Sequence, residues 1–289
     1  MTGRLPDRSG NQWLLSNYVF DADGHYVGLI HQRRRLEQRS DGTTRILQIC
    51  EPHLRVPNHP MAAFAGEWTF DLSYEGRIRR YQGPDMIGAG LAWGNDALTA
   101  RGVWPRFGYN YTSFSVLISP ERQITGEKFY KAGQLVANVI GIGVPEVVDA
   151  GVNPFPAFGN PIKPQEIAST WHGTSAIFDP GWRVQAQGNV IRLYGGESWR
   201  DQVELGSQSA VELHPDGDSY RVRGTMEGTA KRSGWLLEYS AVSIAHEVWQ
   251  QDTVEVLDSG SKTLVTLTHA YVDGALAQVT ITRFKPNLI

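Results

Sequence analysis

Residues 246 to 250 read HEVWQ, one substitution away from the HExxH signature of zinc proteases. That signature binds zinc because two imidazoles four residues apart share one face of a helix, while the glutamate between them acts as general base. Here Gln250 stands at the second position, and a neutral amide is a poor zinc ligand. The surrounding residues alternate as in a strand, which would direct His246 and Glu247 to opposite faces. We therefore predict a strand over 234–250 and no zinc site, with a helical alternative left open over 240–249.

A second candidate metal site comprises Glu51, His53 and His59 in the proline-bounded segment EPHLRVPNHP. A carboxylate and two imidazoles can bind one metal ion. The same segment also reads as a solvent-exposed connection between hairpins, and we prefer this simpler interpretation. We expect no bound metal.

Four residues in or beside predicted strands carry groups that could transfer a proton or donate a hydrogen bond. These candidate catalytic residues are Asp71, Tyr109, His172 and His246. A buried carboxylic acid or neutral imidazole could protonate an alkene or epoxide, and a tyrosine could hold a carbonyl group. Asp71 would lie outside a barrel with an aromatic lining, and it would be buried with a raised pKa if the interior were polar. His172 could reach a barrel mouth or serve as an ordinary surface residue.

Aromatic residues are the best candidates for a binding cavity, since rings supply a large apolar area with few rotamers to restrict. The predicted substrate-binding residues are Trp68, Tyr111, Trp199 and Trp235. In the segment YNYTSFSVLI, Tyr109 and Tyr111 share one strand face with Ser113 and Ser115. That face either lines a semi-polar cavity or lies outside.

Composition and missing motifs exclude several classes of protein. The chain has no G-x-S-x-G, P-loop, C-x-x-C or strand-G-x-G-x-x-G-helix pattern, so we expect no cofactor. The net charge of −3 comes without long blocks of either sign, which argues against a nucleic-acid partner. The cluster Arg33 to Arg35 is interpreted as a solvated strand face. No apolar stretch approaches about 18 residues, and the N-terminus has no signal-like segment, so we expect a cytoplasmic protein without a transmembrane segment.

Strand patterns separated by turn residues must position these side chains. Two hairpins with Asp-Gly turns open the chain and join residues 11–20, 25–38 and 43–54. Thirty-one glycines and many aromatic residues are typical of an antiparallel β protein. Residues 83–104 read as a lid loop, a short helix or a glycine-rich strand pair. The proline-dense stretch 144–170, with a helical turn at PQEIA, interrupts the strand rhythm, which then resumes.

We therefore predict an all-β fold with two lipocalin-like antiparallel β-barrel domains in tandem. The first domain covers 1–144, a proline-rich linker covers 145–170, and the second domain covers 171–289.

The opening segment WLLSNYVFDADGHYVGLIHQRRR resembles the start of the carotenoid 1,2-hydratase and AttH-like family over about 25 residues. The resemblance is carried by Trp13, Tyr18, Asp21, Asp23, Gly24 and Gly28. Trp68 in GEWTF and Trp171 in TWHGT are also similar to the G-x-W element that closes a lipocalin barrel. The resemblance implies two lipocalin-like domains and activities such as those of hydratases and cyclases of lipophilic natural products.

The function expected from the sequence is a cofactor-independent lyase, isomerase or cyclase. Its substrate would be a polyene, terpenoid or polyketide intermediate of natural product biosynthesis, held in an aromatic-lined cavity, where chemistry needs shape, water exclusion and one or two acid/base groups. The competing class is a lipocalin-type binding or carrier protein with the same cavity and no catalysis. Metal-dependent hydrolysis at Glu51, His53 and His59 is a third, weaker alternative.

Overall fold

The computed structural model describes residues 12–146, 155–203, 208–243 and 249–288. The chain divides into two compact units, Met1–Ala157 and Phe158–Ile289. Each unit is a closed antiparallel barrel in which ten strands pair in sequence order and the last pairs with the first. The predicted all-β fold of two tandem barrels is confirmed. Among the described residues, α-helix is limited to one turn, α1 (Pro164–Ile167), at the predicted PQEIA position.

The first barrel follows the predicted hairpins closely. Its strands are β1 (Gln12–Phe20), β2 (Tyr26–Gln38), β3 (Thr44–Leu54), β4 (Gly66–Glu75), β5 (Ile78–Gln82), β6 (Ile87–Trp93), β7 (Ala97–Trp104), β8 (Tyr109–Ser119), β9 (Arg122–Lys131) and β10 (Gln134–Pro145). The ambiguous segment 83–104 forms the glycine-rich strand pair β6–β7. Strand β9 was not predicted. Short 3-10 helices at Pro60–Phe64 and Pro105–Phe107 follow β3 and β7.

The second barrel also consists of ten antiparallel strands. Its strands are β11 (Thr170–Phe178), β12 (Val184–Gly195), β13 (Ser198–Val203), β14 (Gln208–Asp216), β15 (Ser219–Gly224), β16 (Glu227–Ser233), β17 (Leu236–Ser243), β18 (Trp249–Asp258), β19 (Thr263–Val272) and β20 (Ala275–Pro286). The alternation of residue types predicts separate strands at 182–187 and 189–195 and a single strand at 219–231. The structure has one strand, β12, over most of the first segment and two strands, β15 and β16, in the second.

The prediction of a single strand over 234–250 is wrong. Strands β17 and β18 are antiparallel neighbours, and Ser243 pairs with Trp249. The chain therefore reverses direction between them. His246 and Glu247 lie outside the described residues. That their side chains point to opposite faces therefore stays a prediction.

Two equivalent tryptophans stand near the start of a strand in each barrel. The indole Nε1 of Trp68 donates to the carbonyl oxygen of Phe64 at 2.9 Å, and that of Trp171 donates to Ala168 at 3.0 Å. Both rings are buried. Each tryptophan thus links the segment before its strand to the barrel core.

The core of the second barrel contains a buried group of charges. The guanidinium of Arg192 donates to both carboxylate oxygens of Asp201 at 2.7 Å and also to Glu255. Its planar group lies 4.6 Å from the ring centre of Phe284 and 5.1 Å from that of Trp199. Although burial acts to lower the pKa of Arg192, the two carboxylates raise it well above its usual value. The guanidinium therefore stays charged in the buried interior of this barrel.

We propose that the two units fold independently. Phe158 already packs in the second unit, where its ring stacks on Trp235 at 5.3 Å and its carbonyl accepts a hydrogen bond from Gly260 at 3.0 Å. That unit thus begins inside the predicted linker 145–170. Residues 158–289 expressed alone should give a β-type circular dichroism spectrum and a cooperative thermal transition. An unfolded fragment would contradict independent folding.

Within the part of the chain that the structure describes, helices long and apolar enough to cross a membrane do not occur.

Candidate functional site

The first barrel contains a cavity of about 100 Å³. The chain reverses direction at each strand, so the connections after β3, β5 and β7 emerge at the same end of the barrel. Met61 and Phe64 from the first connection and Met86 from the second line the cavity. Met61 and Phe64 are the buried side chains of the 3-10 helix Pro60–Phe64, so the connection after β3 forms part of the cavity wall.

An aromatic cluster surrounds the ring of Phe64 at this end. The ring stacks on Tyr109 with centres 6.0 Å apart, and it meets the edges of Trp104 at 5.2 Å and Phe129 at 5.1 Å. Such edge-to-face and offset contacts add to the energy of apolar burial. Phe64, Trp104 and Phe129 also line the cavity, which therefore has an apolar, aromatic wall.

Charged and polar side chains from four strands line the rest of the same cavity. They are Arg34 of β2, Arg79 and Tyr81 of β5, Tyr111 of β8 and Glu127 of β9. Strand alternation directs each of them inward. The guanidinium of Arg79 also lies 5.3 Å from the ring centre of Tyr81. The cavity therefore combines an apolar surface with charged and polar groups.

The burial of these groups changes their titration. Burial lowers the pKa of Arg34; Glu127 acts to raise it and Arg79 to lower it. Burial raises the pKa of Glu127, and Arg34 partly opposes that shift. Burial also raises the pKa of the Tyr111 hydroxyl and raises that of the Cys50 thiol to about 12. Near neutral pH the tyrosine and the thiol are therefore uncharged.

Tyr111 lies against a part of the wall made of glycine. Gly88 of β6 and Gly102 of β7 pair directly. A Cβ atom at Gly102 would approach Cε1 of Tyr111 to 2.7 Å, and one at Gly88 would approach the Tyr111 hydroxyl to 2.9 Å. Only glycine therefore leaves room for the tyrosine ring in its present position.

Of the four predicted catalytic residues, the three that the structure describes do not line this cavity. Asp71 lies on the outer face of β4, where its carboxylate accepts hydrogen bonds from Arg39 at 3.1 Å and Arg45 at 3.0 Å. His172 is exposed on β11 in the other barrel. Tyr109 belongs to the aromatic cluster, and burial raises its pKa. His246 falls outside the described residues.

The predicted substrate-binding residues divide between the barrels. Tyr111 lines the cavity, whereas Trp68 does not. The ring of Trp68 packs on that of Phe107, with ring centres 5.2 Å apart. Trp199 and Trp235 belong to the second barrel, where they pack on Arg192 and Phe158. Those two tryptophans are consequently not part of the first cavity.

Of the three candidate metal ligands, Glu51 and His53 lie near the end of β3, and His59 lies in the connection that follows. His59 is buried, and its Nδ1 accepts a hydrogen bond from the backbone N–H of Met61 at 3.2 Å, so it caps the 3-10 helix. Across the described ranges, the one group of three metal-ligating residues is Asp21, Asp23 and His25 in the β1–β2 turn, and it is mostly exposed.

Sequence reasoning missed the charged residues of the cavity. Arg34 was assigned to a solvated cluster with Arg33 and Arg35, which is wrong because alternation along β2 turns the middle residue inward between Gln32 and Leu36. Glu127 lies on β9, the strand that was not predicted. Alternation around the buried Ile30 and Leu36 was the signal that could have identified Arg34.

No protein-family profile matches this sequence, and no curated protein matches it either. Among solved structures, the chain is similar to a protein of unknown function from the DUF3598 family of Nostoc punctiforme, with a TM-score of 0.62 and 12% identity over 96% of each chain. An S-type phycobiliprotein lyase from Guillardia theta matches with a TM-score of 0.39 and 8% identity over 50% of this chain and 92% of that chain. The first similarity shows a shared fold alone, and the second is too low to support an argument.

Proposed function

We propose that the first barrel binds one small molecule inside its cavity, as lipocalin-type binding proteins do. The observation that carries the proposal is a cavity within the barrel that has an apolar, aromatic wall and a few convergent polar groups. This combination is typical of ligand sites in proteins, since apolar contacts supply affinity and polar groups fix orientation.

The volume of the cavity indicates the size of its ligand. Pockets for drug-sized molecules measure about 300 to 1,000 Å³. An engineered apolar cavity of about 150 Å³ in another protein holds benzene. A cavity of about 100 Å³ therefore favours a ligand of single-ring size over the polyene, terpenoid or polyketide expected from the sequence.

Filling the cavity should abolish binding. Ser113 lines the cavity, whereas its neighbour Thr112 is exposed on the outer face of β8. We expect Ser113→Leu to remove calorimetric binding of single-ring probes such as toluene, benzamide and benzoate, because the added side chain occupies their space. Thr112→Leu is the matched control and should bind as the unchanged protein does. Equal binding by Ser113→Leu, with an unchanged melting temperature, would place the ligand elsewhere.

Catalysis by a cofactor-independent lyase, isomerase or cyclase is the second candidate. It is favoured by Glu127, because burial raises the pKa of this carboxyl group in the cavity that also contains the Tyr111 hydroxyl. A protonated carboxylic acid can act as general acid, and an uncharged tyrosine can hold a developing oxyanion. The resemblance of residues 13–35 to the carotenoid 1,2-hydratase and AttH-like family supports this candidate.

Conversion of a bound probe would separate the two candidates. Each probe that binds should be incubated with the protein and its products analysed by mass spectrometry. If the barrel is catalytic, Glu127→Gln should keep binding and lose turnover by about 10²- to 10⁴-fold. Glu121→Gln, in the exposed turn after β8, is the control that should retain turnover. Binding without any conversion would leave the carrier function.

A further inference from the structure

We infer that the ligand of the first barrel is an organic anion, with a carboxylate group held between Arg34 and Arg79. The inference rests on the proposed binding function and specifies the chemical class of the ligand. It is carried by the hydrogen-bond donors of the cavity, by its charge and by the position of its apolar wall.

The cavity presents donors that the protein itself does not satisfy. The Nε–H of Arg34 and the Nε2 amide group of Gln32 are buried and have no acceptor among the described residues. The oxygen of the same Gln32 side chain already accepts from Asn17 at 3.0 Å, so its amide orientation is fixed. Buried donors without partners are costly. A ligand group rich in acceptor oxygens would satisfy them.

The charges of the cavity also favour an anion. The groups of the cavity that can carry charge near pH 7 are the guanidinium groups of Arg34 and Arg79 and the carboxyl group of Glu127. The Tyr111 hydroxyl and the Cys50 thiol are uncharged there, because burial raises their pKa values. Two guanidinium groups face one carboxylate, which leaves an excess of one positive charge when Glu127 is ionised and two when it is protonated. A bound carboxylate offsets this excess inside the low-dielectric interior.

Arg34 and Arg79 are suited to hold such a group. Arg79 acts to lower the pKa of Arg34, so the two positive charges repel each other. An anion between them removes that repulsion and accepts charge-assisted hydrogen bonds, which guanidinium groups form with carboxylates in a planar, paired geometry.

The apolar wall distinguishes an organic anion from an inorganic one. Phe64, Trp104 and Phe129 line the same cavity as the two arginines. A free phosphate or sulfate ion would leave this surface without a partner, whereas a ring attached to a carboxylate contacts the aromatic wall and the arginines together. Benzoate has this form and the size that the cavity volume indicates.

Calorimetry with a matched pair of probes tests the inference on the whole protein. Benzoate and benzamide have nearly the same shape and differ in charge, and toluene lacks the polar group. We expect benzoate to bind at least about tenfold more tightly than benzamide, the ratio that one charge-assisted hydrogen bond supplies. Inorganic phosphate at the same concentration should not displace benzoate.

Substitutions then assign the preference to the arginines. Arg34→Met and Arg79→Met should each reduce benzoate affinity by about tenfold or more and change benzamide affinity little. Arg35→Met, at the exposed neighbouring position of β2, is the control for a lost positive charge and should bind benzoate normally. Glu127→Gln should strengthen benzoate binding because it removes the competing carboxylate, and this gain does not depend on the arginine variants folding.

The outcomes separate the two levels of the proposal. The anion assignment would be overturned if toluene or benzamide bound as tightly as benzoate. It would also be overturned if Arg34→Met left benzoate affinity unchanged and Glu127→Gln weakened it. Either result would keep the binding function. Displacement of benzoate by phosphate would replace the organic anion with an inorganic one. No binding of any probe to the folded protein would overturn both.

Discussion

The variant Arg192→Met is expected to lose about 3 to 5 kcal/mol of unfolding free energy, the largest loss predicted here for a single substitution. Methionine fills a similar volume, so the loss comes from charge. Without the guanidinium, Asp201 and Glu255 remain beside each other in the second barrel with no counter-ion, and Glu255 is buried. Urea unfolding monitored by circular dichroism measures the difference.

A control and a rescue make this prediction specific. Arg200→Met removes a positive charge from an exposed position on the same sheet, and it should change stability by less than about 0.5 kcal/mol. The triple variant Arg192→Met, Asp201→Asn, Glu255→Gln should recover much of the loss, because it no longer contains unpaired buried charges. If the single and triple variants are equally unstable, packing of Arg192 on Phe284 and Trp199 is more important than charge.

The variant Gly102→Ala is expected to destabilise the protein by about 1 to 3 kcal/mol and to weaken ligand binding. The new methyl group would lie 2.4 Å from the carbonyl oxygen of Ile87 and 2.7 Å from Tyr111 Cε1. Both are closer than van der Waals contact allows, so β6 or the tyrosine ring must move. A moved ring enters the cavity that we propose as the binding site.

Gly188→Ala is the matched control in a strand of the other barrel. A Cβ atom at Gly188 would meet nothing within 4 Å. This substitution should be neutral or stabilise by about 0.4 to 1 kcal/mol, because alanine restricts the unfolded chain more than glycine does. A Gly102→Ala variant that matches this control in stability and in benzamide affinity would show that the barrel wall adapts without cost.

The fold was more predictable than the site because the two depend on different signals. The period-2 pattern and the Asp-Gly turns of 11–54 fix strand directions locally, and each of those hairpins formed as predicted. A barrel interior depends on which of two faces turns inward along every strand. For β8 the sequence left both choices open, and the face with Tyr111 and Ser113 lines the cavity.

Charged residues were the main source of error. Arg34 and Glu127 face inward against the general preference of charged groups for water, because the barrel supplies opposite charges and a polar cavity around them. Local sequence cannot show a partner that lies on a strand far along the chain. The same holds for Arg192 and Glu255, which pair across 63 residues.

The closed pairing of β1 with β10 also constrains how the first barrel is made during translation. Trp13 of β1 pairs with Pro145 of β10, so the partner strand is the last of its barrel to be synthesised. Until then, β1 can pair only with β2, and the aromatic residues of the future interior remain accessible to other chains. Barrel closure is thus a late, non-local event on the ribosome, and a pause in synthesis before β10 would prolong the period in which the nascent chain can aggregate.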